Sequence, residues 1–172
     1  KFPITDLINQ GVDISDINRI DIRGELKCGK NVFIDINTVF EGTVELEDNV
    51  FIGANCILKD SIICKDSSIK PFSSVEGAII GKNTFIGPYA RIREGTKIKD
   101  FVQIGNFVEI KNAIIKDHCR INHHSFIGDA DLAKHVTIGA GTITCNHDGY
   151  RINKISIGKN VYIGSGCNLI AP

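Results

Sequence analysis

The chain has no methionine, no tryptophan and only four prolines in 172 residues. A chain without an initiator methionine is expected to be a trimmed piece of a longer one. Aromatic residues make up 7%. There is no net charge, because twenty acidic residues balance twenty basic ones. That balance gives no electrostatic reason to expect nucleic acid or a membrane surface as partner. No apolar run approaches the roughly 18 residues of a spanning helix, and the N-terminus has no signal-peptide core. Six cysteines form no Cys-x-x-Cys pair, which fits unlinked core thiols in a reducing cytoplasm and supplies no metal motif. Hydrophobic residues reach 42%, enough for one folded domain and too many for a disordered chain.

What is abundant is a period of six. From Ile14 to Ile110, every sixth residue is aliphatic or small: Ile14, Ile20, Leu26, Val32, Thr38, Val44, Val50, Cys56, Ile62, Ser68, Ser74, Ile80 and onward, seventeen positions without a break. Six is neither the helical period nor the strand alternation. It describes a solenoid with three short faces per coil, in which one inward residue per hexad stacks on its counterpart about 4.8 Å along the axis. Gly, Asn and Asp recur where corners are needed, as in Gly81-Lys-Asn83 and Gly158-Lys-Asn160, and these residues tolerate positive φ best. Residues 14–172 are therefore read as an all-β parallel solenoid of about eight or nine coils. Handedness does not follow from the period. Residues 1–13 read as a short helical connector, closed by Gly11, to a domain upstream.

After Ile110 the register slips to Ile115, Ile121 and Ile127, then to Leu132, Ile138 and Thr144, and after thirteen residues it resumes at Ile157. The insertion, residues 145–156, is expected to leave the coil as a loop. Loops projecting from a rigid solenoid are where function concentrates. The end at Ala171-Pro172 has no polar cap, so further chain or a partner is expected there.

Two basic residues, Arg93 and Lys111, are eighteen positions apart, which is three hexads. That spacing stacks them on one face of adjacent coils about 5 Å apart, where they repel unless an anion lies between them. The segment Arg120-Ile-Asn-His-His-Ser-Phe-Ile-Gly-Asp129 offers His123 as a candidate base, the alternative being that one of its two adjacent histidines merely faces solvent.

Three stretches carry a more specific pattern: Ile86-Gly-Pro-Tyr-Ala-Arg-Ile-Arg93, Ile104-Gly-Asn-Phe-Val-Glu-Ile-Lys111, and Ile138 through Asn146. Together they resemble the C-terminal acetyltransferase domain of the bacterial bifunctional N-acetylglucosamine-1-phosphate uridyltransferase/glucosamine-1-phosphate acetyltransferases, which are hexapeptide-repeat transferases. The resemblance runs from near Leu7 over nearly the whole chain, without the family's nucleotide-binding half or its C-terminal coils. It implies a left-handed parallel β-helix. It also implies acetyl transfer from acetyl-coenzyme A to the amine of glucosamine 1-phosphate, in the cytoplasm, by a homotrimer whose sites lie between subunits. No metal is implied.

Residue by residue, the resemblance implies His123 as base and Glu109 as its orienting or amine-holding carboxylate. Arg93 and Lys111 would hold the phosphate, with Arg91 as an alternative on an exposed corner. Asn146 would contact the substrate, while the Ala140 amide and Ser165 would contact the acyl donor. His124 is passive in this reading. Four positions depart from the family. Phe126 and His147 stand where tyrosines are usual, Phe126 in the sugar-phosphate subsite and His147 beside Asn146. Thr137 replaces a sugar-contacting asparagine, and Ile152 falls where a lysine is expected, with Arg151 or Lys154 as substitutes. Two other readings stay open: a γ-carbonic-anhydrase-like zinc site using His118 and His123, and a non-catalytic trimeric module.

Overall fold

The computed structural model describes residues 4–172. The connector's first three residues lie outside the described ones. A helix, Ile4–Asn9, opens the fold. It ends on Gly11, at φ 90°. The Gly11 N–H donates to Ile8 O at 2.9 Å, and the Val12 N–H reaches back to Leu7 O at 3.1 Å. These are the two bonds of a Schellman stop, and Leu7 and Val12 are both buried against the first coil.

The rest is a left-handed parallel β-helix of short strands. Every ladder between coils is parallel. One inward column is made entirely of isoleucine: Ile14, Ile34, Ile52, Ile69, Ile86, Ile104, Ile121, Ile138 and Ile163, each the register partner of the next. Identical β-branched side chains stacked at strand spacing fill the axis without gaps, which is the packing reason for the bias.

The six-residue series is not unbroken, and each hexad buries two residues rather than one. The inward pairs run Val50/Ile52, Cys56/Leu58, then Ser61/Ile63, Ser67/Ile69, Ser73/Val75, then Ala78/Ile80. One residue is lost between Leu58 and Ile63, and another between Val75 and Ile80. A strict count of six therefore lands on Ile62, Ser68 and Ser74, none of which is buried, before meeting the inward column again at Ile80. The later slips at Ile115 and Leu132 fall where the sequence places them. The first member of each pair is small, and its hydroxyl, where present, ties down a carbonyl: Ser67 Oγ donates to Gly81 O at 2.7 Å and Thr84 Oγ1 to Lys99 O at 2.9 Å.

The corners turn on residues with positive φ, and they are not confined to Gly, Asn and Asp. One column carries Phe72, Tyr89, Phe107, His124, Gly141 and Gly166; a second carries Phe101, His118, His135 and Asn160. A left-handed backbone costs a residue with a Cβ roughly 1–2 kcal/mol. Here the rings recover much of it by stacking along the axis. Phe72 and Tyr89 have ring centroids 4.9 Å apart, and His118 and His135 4.8 Å apart.

The chain leaves the coil after Cys145 and rejoins it at Ile155. Among the described residues no helix is long and apolar enough to cross a membrane. All six cysteines are free, but only Cys56 and Cys119 are buried; the other four are half-buried.

Candidate active site

Three outward faces alternate with the corners, and the candidate residues divide among them. On the face that carries Glu109, the outward column runs Arg91, Glu109, Phe126, Ile143. Arg93 and Lys111 follow the inward pair Ile92 and Ile110, which are register partners, so the two cations are stacked one coil apart. Arg91 lies in this strand and not on a corner. Lys111 in turn pairs with Gly128 on the next coil. The missing side chain at Gly128 makes room for Phe126: a Cβ there would meet the ring at 2.7–2.8 Å. Phe126 is thereby laid along the face beside Lys111.

The two arginines on this face are already engaged with Glu109. Arg93 NH1 lies 3.0 Å from Glu109 Oε1, and Arg91 NH1 lies 3.7 Å from the same oxygen. Arg93 Nε is buried with no partner among the described residues. Asn146 closes the top of the face at the root of the excursion. Its Nδ2 donates to Asn153 O at 2.8 Å and Asp129 O at 3.3 Å. Its Oδ1 is buried without a partner. Two unpaired buried polar atoms on one face are an unusual cost.

A different set gathers at the Tyr89 corner. His123 is the register partner of Asn106, with Nδ1 and Oδ1 3.2 Å apart. Ala140 and Ser165 each lie two residues past the paired Ile138 and Ile163, as His123 lies two past Ile121. His123, Ala140 and Ser165 therefore form one column. The N–H groups of Gly139 and Gly141 donate to Ile163 O and His124 O, at 2.8 and 2.9 Å. Between them the Ala140 N–H has no partner among the described residues. His124 borders the same corner. It lines a shallow groove with Phe107, Glu109, Phe126, Gly141 and Ile143 that joins this corner to the Glu109 face.

The remaining candidates lie elsewhere. Thr137 sits on the next face, in the outward column Gln103, Arg120, Thr137, Tyr162. His147 is turned into its own loop, where Nδ1 accepts from the Gly149 N–H at 3.0 Å. Ile152 pairs with His147 across the excursion and is exposed. Lys154 is held by Asp131 at 2.9 Å and Arg151 lies 3.5 Å from Asp148. His118 is stacked between Phe101 and His135, on a different corner from His123. The two histidines of the zinc reading therefore do not converge within one chain.

Sequence reasoning passed over two residues. Asn106 was hidden because the coil at this step has seventeen residues, not eighteen. Asp148 organises the excursion by accepting from the Tyr150 and Arg151 N–H groups, both at 2.9 Å, and from Asn153 Nδ2. These bonds, that from Arg151 foremost, hold its carboxyl down at about 2.

The bifunctional protein GlmU of Aromatoleum aromaticum is 51% identical over 168 residues, 98% of this chain. This chain resembles GlmU. A second GlmU, from Wigglesworthia glossinidia brevipalpis, is 51% identical over 96% of the chain. The chain spans only 37% and 36% of these two relatives, so the GlmU likeness concerns one part of a longer protein. A family model described as the GMPPB C-terminal domain matches residues 22–98. Among solved structures, Arabidopsis UDP-N-acetylglucosamine acyltransferase superposes with TM-score 0.59 at 17% identity, covering 91% of this chain and 65% of that one. The acetyltransferase domain of PglB from Neisseria gonorrhoeae, in complex with acetyl coenzyme A, gives 0.56 at 19% identity over 68% and 59%. At such identities the two structures share the fold with the GlmU-like chain and nothing finer.

Proposed function

We propose that this chain transfers the acetyl group of acetyl-coenzyme A to the amine of glucosamine 1-phosphate. The product, N-acetylglucosamine 1-phosphate, is a precursor of UDP-N-acetylglucosamine. The observation that carries the reading is the match to GlmU along 98% of the chain. The stacking of Arg93, Glu109 and Lys111 beside two unpaired buried polar atoms supports it. Acetyl-coenzyme A is a co-substrate here, and the reaction as written needs no metal.

In the reaction, the sugar amine attacks the thioester carbonyl, the C–S bond breaks, and coenzyme A leaves as its thiol. His123 takes the proton from the nitrogen and returns it to the departing sulfur. Donating Nδ1–H to Asn106 Oδ1 leaves the Nε2 lone pair free for that task. Arg93 and Lys111 hold the phosphate with charge-assisted bonds, and Arg93 Nε is a spare donor for it. The unpaired Ala140 N–H and the neighbouring Ser165 meet the acyl donor. Thr137, on the next face, and His147, in the excursion, would border the sugar and the donor only across a subunit contact. Phe126 supplies an apolar wall with no hydroxyl for the phosphate.

His123, Ala140 and Ser165 sit on a corner, whereas Arg93, Lys111 and Asn146 lie at the far edge of the adjoining face. A second copy that docks its corner against this face would bring the two halves together. A head-to-tail contact of this kind closes into a ring when its rotation allows, and we assign that ring as the homotrimer that the resemblance to the acetyltransferase family implies. Its location is cytoplasmic, in keeping with six unlinked thiols. The test is thiol release from acetyl-coenzyme A with glucosamine 1-phosphate. Release that depends on both the sugar phosphate and His123 supports the reading. No release above the buffer rate would reduce the chain to a scaffold.

A further inference from the structure

The phosphate clamp of the proposed function is not vacant in the free chain. Glu109 Oε1 stands 3.0 Å from Arg93 NH1 and 3.7 Å from Arg91 NH1, so one carboxylate oxygen serves two guanidinium groups. Arg93 NH2 leans toward Glu94 at 3.7 Å. Lys111, which shares the outward side of its strand with Glu109, makes no ion pair among the described residues. A phosphate entering here competes with Glu109 for Arg93.

We infer that Glu109 occupies the anion site as a placeholder, and that a ligand displaces it cleanly only if it carries a cation beside its anion. This rests on the clamp reading above. A 2-amino-sugar 1-phosphate meets the condition, because its ammonium and its phosphate sit on adjacent carbons. Its phosphate takes Arg93 while its ammonium takes Glu109, so one ion pair becomes two and no charge is stranded. Glucose 1-phosphate has no ammonium. It separates Glu109 from Arg93 and leaves the half-buried carboxylate without that cation, an unfavourable exchange. The Arg93–Glu109 pair is thus a specificity device for the amine. It acts in the binding step, before acetyl-coenzyme A is needed.

The test is calorimetric binding of glucosamine 1-phosphate and glucose 1-phosphate to the wild type, Glu109→Gln and Arg93→Ala, without acetyl-coenzyme A. Glutamine keeps the shape of an outward strand residue, and an unchanged thermal transition confirms that the variant folds. In the wild type the amino sugar binds more tightly. In Glu109→Gln, glucose 1-phosphate is expected to bind about fivefold more tightly than to the wild type, as follows from removing a competing ion pair, and the preference for the amine disappears. Unchanged or weaker binding of glucose 1-phosphate to Glu109→Gln, with Arg93→Ala still abolishing it, overturns the placeholder and leaves the clamp standing. Full binding of glucose 1-phosphate to Arg93→Ala overturns both.

Discussion

Asn106 and His123 face each other across consecutive coils, with Oδ1 3.2 Å from Nδ1. The contact fixes which imidazole nitrogen is free and how the ring is turned. Asn106→Ala is expected to lower kcat about tenfold with little change in KM for either substrate, since ring orientation matters at the proton transfer. Asn106→Asp restores an acceptor and adds a negative charge, which favours the protonated ring. The acid limb of the pH–rate profile then moves to higher pH. A profile that stays fixed in Asn106→Asp would remove Asn106 from the account.

Lys111 and His123 are assigned different tasks, and kinetics separates them. Lys111→Ala should raise KM for the sugar phosphate about tenfold or more, the worth of one charge-assisted phosphate contact, and leave kcat near its original value. His123→Ala should do the reverse. Equal losses confined to kcat in both variants would contradict the division.

The excursion is predicted to be acid-sensitive through Asp148. Its carboxyl is depressed from 3.8 to about 2. A depressed carboxylate contributes stability above its unfolded value, and that contribution is lost as pH falls through the folded value. The loop should therefore keep its order above about pH 4 and lose it between about pH 4 and 2. Amide exchange at Tyr150 and Arg151, whose N–H groups Asp148 accepts, reports this directly. In Asp148→Ala both amides should exchange quickly at neutral pH. Protection that survives in that variant would show that the loop is held by something else.

Ile110 sits in the core between Glu109 and Lys111 on its strand and is fully buried. Ile110→Ala should cost about 2–5 kcal/mol by denaturant unfolding, and Ile110→Val only about 0.5–1.5. Because the same residue props the two charged side chains, the alanine variant should also raise KM for the sugar phosphate. A loss below 1 kcal/mol would mean that the axis can relax around the cavity.

The fold was legible because one inward column carries an aliphatic residue in every coil and leaves a period that local propensity does not obscure. The slips were not. Where a residue is dropped from a corner, Ile62-Ile63 and Ile79-Ile80 offer two isoleucines, one inward and one outward, and composition cannot say which is which. The aromatic and imidazole corners escaped for a related reason. Single-residue preference argues against Phe107 or His118 at positive φ, and only the ring one coil away offsets the strain. In the site, Arg93 and Lys111 could be paired from sequence because their coil keeps all eighteen residues. Asn106 could not be paired with His123, because the next coil has seventeen and a count of eighteen lands on Gly105. The placeholder contact of Glu109 depends on side-chain reach, which no spacing encodes.

Mixed oligomers test whether the proposed acetyltransferase site is completed by a second copy. His123→Ala keeps the Glu109 face intact, and Lys111→Ala keeps the corner intact. Each variant alone should show almost no acetyl transfer to glucosamine 1-phosphate at low sugar concentration. Dissociated together and reassembled at equal amounts, random trimers should regain about a quarter of wild-type activity, since one contact in four joins two intact halves. A mixture no more active than its parents would place the whole site within one chain and contradict the account.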